Sequence, residues 1–150
     1  MSCVMRISFD DLDPSHLFEL IGEEPYVVRK KGEPAFKSLP NKGDTSKGGA
    51  NFYVSYAEFE EFDQQKADAI QFLTEHQTGI REVMGLSGVT GELDFGIVRR
   101  DVAIQCDRIP VELLVLAGSV GLEIVLSQYP PGDGDDNAQD APEDAANSPT

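Results

Sequence analysis

The sequence has only two cysteines, Cys3 and Cys106, and two histidines, His16 and His76. Two cysteines without a Cys-x-x-Cys pair cannot build a disulfide framework, and the histidine spacing offers no metal clamp. Reduced thiols and no metal or cofactor are therefore expected. Bases are also scarce, with 12 Lys and Arg against 27 Asp and Glu and a net charge of -15. A field of that sign repels phosphate backbones, which argues against nucleic acid as a partner. Long apolar runs are missing too. The longest, around Leu113 to Ala117, is far too short to span a bilayer, so no membrane partner is expected. The first residues lack a basic segment followed by a long apolar run, the mark of a signal peptide. The cytoplasm is the expected location.

The last residues lack large apolar side chains. From Pro131 to Thr150 there is no Val, Ile, Leu, Phe or Tyr, while six acids occur without a base. Such a segment cannot offset its ordering entropy by burial, so 131–150 is expected to be a disordered acidic tail. Residues 1–130 keep all 12 bases and 21 of the 27 acids, a net -9. That length suits one domain with an ordinary core.

Within 1–130, period-two alternation marks strands. Cys3, Met5, Ile7 and Phe9 form one such set, Phe52, Val54 and Tyr56 another, and Leu93, Phe95 and Ile97 a third. Leu122, Ile124 and Leu126 give the last strand, Val102, Ile104 and Cys106 predict one antiparallel to the third, and Tyr26 to Val28 a brief one. Helical signals lie between them. Asp13 followed by Pro14 caps a short helix that Gly22 stops, and Pro110 opens another that Gly118 closes. A long helix is predicted from an Asp63 cap to about Val83, with Gly79 as a point of kinking.

This order predicts a single α+β domain with an antiparallel or mixed sheet of four to six strands. One long and two short helices should cover one face, leaving the other partly solvated. The expected core contains Ile7, Leu17, Leu20, Phe52, Val54, Ile70, Leu73, Leu93, Phe95, Leu113, Leu116, Leu122, Ile124 and Leu126.

Two charged groups are candidate sites. Asp10, Asp11 and Asp13 form an acidic turn, and Glu58, Glu60 and Glu61 an acidic run with Phe59 in it. Together they would make an acidic edge with an apolar anchor, suited to a basic protein partner. Against them stands a basic loop, residues 29–47, with Arg29, Lys30, Lys31 and Lys37 as candidate anion ligands around Phe36. Gly43 to Gly49 does not make a phosphate loop, because Lys47 precedes Gly48 and a strand follows instead of a helix. No nucleophile paired with a base, metal clamp or cofactor loop can be read, so catalytic residues are not assigned.

Leu20-Ile21-Gly22-Glu23-Glu24-Pro25, Lys31-Gly32-Glu33, the strand Asn51 to Tyr56 with its long helix, and the closing Ile124 to Tyr129 carry a resemblance. The chain resembles, over about residues 4–130, the bacterial family catalogued as domain of unknown function 4279. It departs from that family in having Phe52 or Tyr53 where members often place a tryptophan. The resemblance implies a small bacterial α+β protein and carries over no catalytic residue. In size and charge such proteins are similar to toxin-neutralising immunity proteins. The function expected is thus a protein–protein interaction module. The alternatives are a small-molecule or anion-binding domain using the basic loop, or an enzyme with an unrecognised carboxylate site.

Overall fold

The computed structural model describes residues 2–33 and 46–132. The chain runs β1 (Cys3–Phe9), α1 (Pro14–Ile21), β2 (Val27–Arg29), β3 (Gly48–Ser55), α2 (Phe62–Met84), β4 (Thr90–Val98), α3 (Val111–Val120) and β5 (Glu123–Tyr129). Five strands form one mixed sheet in the order β2-β3-β1-β4-β5. β1 lies at its centre, antiparallel to β3 and β4, while β4 and β5 are parallel and joined by α3. The expected α+β class, strand number and single helical layer are all present. The expected tail falls outside the described residues from 133 onward, and so does the basic loop over 34–45.

Alternation in β1 decides the layering. Cys3, Met5, Ile7 and Phe9 are buried with Ala50, Phe52 and Val54 of β3 and Leu93, Phe95 and Ile97 of β4. Leu17 and Ile21 of α1, Leu73, Ile80 and Val83 of α2, and Leu113, Ala117 and Val120 of α3 belong to the same core. Leu20, Ile70, Leu116, Ile124 and Leu126 pack against it from the rim. The opposite sheet face carries polar side chains. There Arg6 bonds Glu92 at 3.1 Å and also Asp94, and Ser127 donates to Asp94 at 2.7 Å.

Local signals act largely as their chemistry requires. Asp13 accepts from the Ser15 amide at 3.0 Å and caps α1, and Gly22 ends it at φ 79°. Three expectations need correction. The strand over Val102 to Cys106 does not form, since residues 99–110 hold no strand. Both edges of β4 are already taken by β1 and β5. Gln105 instead ties this segment into a loop, accepting from the Arg100 amide at 2.9 Å and donating to the Val98 carbonyl at 3.2 Å. Next, α3 does not stop at Gly118. It runs to Val120 and is capped by Gly121 at φ 81°. Finally, α2 passes through Gly79 as one helix and begins at Phe62. Asp63 is not its cap but lies in the first turn, where it pairs with Lys66 at 2.7 Å.

Candidate functional site

The end of β3 and the outer side of α2 enclose a cleft of about 360 Å³. Buried Gln65 fixes one end of it, donating to the Gly96 carbonyl at 2.8 Å and the Glu58 carbonyl at 3.0 Å. That side chain ties the start of α2 to both β4 and the 56–61 segment. With Gln65 turned inward, Gln64, Asp68, Gln71 and Glu75 follow one another at helical spacing along the outer side.

Four carboxylates line the cleft: Glu23, Glu61, Asp68 and Glu75. Among the described residues no lysine or arginine joins them. Asp68 accepts from Ser55 Oγ at 2.6 Å and from Gln64 Nε2 at 2.7 Å. Glu75 accepts from Gln71 Nε2 at 2.9 Å, and Glu61 from the Glu58 amide at 2.9 Å. Asp68, Glu75 and Glu61 are thus each oriented by a neutral donor. His76 closes the far end. Its Nδ1 donates to the Ile21 carbonyl at 3.0 Å, and its Nε2 faces Glu23 at 3.4 Å. The Phe72 ring lies 4.6 Å from the imidazole and forms part of the wall.

Tyrosines continue the cleft at its lip. Tyr56 is 70% exposed and stands 5.2 Å from Tyr53, which stacks on Tyr26 at 3.7 Å. Desolvation, then the neighbouring phenols of Tyr26 and Tyr56, push the Tyr53 hydroxyl above its ordinary value. Carboxylates beside exposed aromatic faces form a receptor for cations, which both groups attract. Among the described residues no group of His, Cys, Asp and Glu side chains is arranged to hold a metal ion.

The residues singled out from sequence are scattered. Phe9 pairs with Gly48 and Cys3 with Ser55, so the Asp10–Asp13 turn and the Glu58–Glu61 run lie at opposite ends of β1. They do not share one edge. Asp11 pairs with Lys31 at 3.5 Å, and Asp13 is occupied as a cap, its carboxyl held below the ordinary value chiefly by the Ser15 side chain. Glu58 and Glu60 are exposed, and Glu61 alone of the seven enters the cleft. Phe59 is half-buried, stacked on Tyr129 at 4.8 Å and packed over Gly96. Of the basic candidates, Arg29 lines a second groove of about 630 Å³ on the uncovered sheet face with Arg6, Glu92 and Glu123. Lys30 donates its amide to Glu33 at 3.0 Å, and Lys37 lies outside the described residues.

Sequence reading missed Glu23, Tyr56, Asp68, Glu75 and His76. Asp68, Glu75 and His76 lie on α2, whose buried residues are Gln65, Ala69, Leu73, Ile80 and Val83. Of these Gln65 is polar, so alternation of apolar residues alone does not mark which side of the helix faces the cleft. Among the described residues no helix is long and apolar enough to cross a membrane. No family model, curated protein or solved structure matches this chain. The resemblance noted above therefore rests on its motifs.

Proposed function

We propose that this protein is an interaction module that receives a cationic segment of a partner protein in the acidic cleft between β3 and α2. The observation that carries the reading is the convergence of Glu23, Glu61, Asp68 and Glu75 on one concavity walled by Phe72 and lipped by Tyr56. An arginine or lysine side chain entering there meets carboxylates already oriented by Ser55, Gln64 and Gln71. Preorganised acceptors lower the cost of ordering on binding. The surrounding negative field raises the rate of encounter with a basic surface. A bacterial immunity protein that covers the basic site of a toxin is one instance of this class, and the cytoplasm is a location compatible with it.

The anion-binding alternative has Arg29 in its favour. Its groove also holds Glu92 and Glu123, and Arg6 in it is engaged by two carboxylates. That balance of charge favours an anion less than the cleft favours a cation.

Amide and side-chain NMR during titration with a short arginine-rich peptide tests the cleft. Shifts centred on Tyr56, Gln64, Asp68 and Gln71 support it. Shifts confined to the Asp10–Asp13 turn, or spread evenly over all acidic residues, overturn it.

A further inference from the structure

β5 forms one border of the sheet and pairs with β4 alone among the described strands. Their register runs unbroken from Glu123 opposite Glu92 to Tyr129 opposite Val98. The Tyr129 carbonyl accepts from the Arg99 amide at 2.7 Å, just past the end of β4. Backbone groups alternate in direction along a strand, so the odd-numbered residues of β5 turn theirs toward β4. Ile124, Leu126 and Gln128 turn theirs outward, where no backbone group among the described residues meets them. Such an edge is a template for a further strand, and chains normally guard it with lysine, proline, a bulge or shortness. The opposite border, β2, is only three residues long. β5 has seven, Glu-Ile-Val-Leu-Ser-Gln-Tyr, with one charge at its start, no proline and no bulge.

We propose that the outer edge of β5 docks an extended segment of a partner protein, added to the sheet as a further strand, in which apolar residues alternate with basic ones. The backbone sets the conformation. The outward N–H and carbonyl groups of Ile124, Leu126 and Gln128 are met together only by an extended chain. The two sheet faces set the side chains. On the helix-covered face, Ile124 and Leu126 lie half-buried at the rim of the core, so an apolar side chain beside them extends that core. On the open face, Arg6, Glu92 and Glu123 form one row across β1, β4 and β5. Arg6 holds Glu92 at 3.1 Å, while among the described residues no base pairs with the exposed Glu123. Like charges directly opposite each other, as Glu92 and Glu123 are, destabilise a sheet. A lysine or arginine on the added strand, beside Glu123, supplies the missing cation.

A second copy fits this edge less well than a basic segment. It brings its own net charge of -15, and its β5 holds no base to set against Glu123. The edge is also separate from the cleft, because β1 and β4 lie between β5 and β3. Binding at one place therefore does not require the other.

Amide hydrogen exchange read by NMR on the full chain tests the proposal, with a short peptide alternating lysine and valine as the probe. In the free protein the Ile124, Leu126 and Gln128 amides should exchange fast, and those of Val125 and Ser127 slowly. The peptide should slow the first three. The same peptide N-methylated throughout keeps its charges but cannot join the sheet, and should bind at least about tenfold more weakly. Gln128→Pro removes an outward donor without touching the β4 ladder and should weaken binding about tenfold. Glu123→Lys should weaken it about threefold. Circular dichroism checks that both variants fold. Equal binding of the plain and methylated peptides, or shifts centred on Asp68 and Gln71 with the three outward amides still fast, would overturn the proposal. So would outward amides that are already slow in the free protein. If that protection grew with protein concentration, it would assign the edge to a second copy; if it did not, to the chain itself.

Discussion

Gly79 in the last third of α2 lies directly against the carbonyl of Leu20 at the end of α1. A β-carbon at Gly79 would sit 2.6 Å from the Leu20 carbonyl carbon and 2.9 Å from Ile21 Cα, closer still to the Leu20 oxygen. The missing side chain lets the two helices touch, and the contact brings Ile21 within reach of His76 one turn away.

Gly79→Ala should therefore destabilise the fold by about 1–3 kcal/mol, because backbone cannot retreat as a side chain can. Helix propensity alone would give the opposite sign, a gain of about 1 kcal/mol. Gly118→Ala, with open space around it, should show that gain. Urea midpoints for the two variants, measured in dilute solution, should move in opposite directions. A shift of both in the same direction would contradict the account of Gly79.

Arg6 and Asp94 form the second test of packing. Asp94 is 6% exposed and depends on Arg6 and Ser127. Removing Arg6 leaves a buried carboxylate without its counter-charge. Arg6→Met should cost about 2 kcal/mol, less than the ~3–5 of a fully buried pair because Arg6 keeps contact with water. Arg6→Met combined with Asp94→Asn should recover part of that loss in a double-mutant cycle of denaturation midpoints. Strictly additive losses would show that the two groups act independently.

The cysteines differ in a way that alkaline pH exposes. Cys3 is buried and Cys106 exposed. Burial, reinforced by Asp94, pushes the Cys3 thiol far above its ordinary value of 9.0. The unfolded chain then releases that proton at lower pH than the folded one. Stability contributed by the neutral thiol is complete below about pH 9 and falls as pH rises, by at most about 1.4 kcal/mol per unit. A thiol reagent at neutral pH should modify Cys106 alone, and Cys3 only after denaturant is added. Rapid modification of both in the native state would contradict the burial of Cys3.

The legibility of this chain followed the length of its periodic signals. Cys3 to Phe9 alternates over a whole strand, so β1 and its buried side could be read directly. Val102, Ile104 and Cys106 alternate too, but pairing depends on a free strand edge, and β5 already holds that edge of β4. Gly118 has the local character of a stop, yet Val120 still had core to reach and the helix continued to it. The candidate site was harder. Glu23 and Glu75 are far apart in sequence and meet only because α1 ends against α2. Glu61 belongs to the acidic run and accepts from the Glu58 amide, but it also lines the cleft with Asp68 and Gln64, which lie beyond that run in sequence.

Salt-dependent affinity for an arginine-rich peptide tests the central claim most directly. Isothermal titration at two salt concentrations should compare the wild type with Glu61→Gln combined with Glu75→Gln, changes that keep side-chain shape and remove two charges from the cleft. Asp10→Asn combined with Asp11→Asn removes the same charge at the other end of β1. The account predicts that the cleft variant binds at least about tenfold more weakly, with a smaller loss of affinity on adding salt, while the turn variant stays close to wild type. Equal losses in the two variants would mean that the peptide senses only net charge, and the cleft would not be the site.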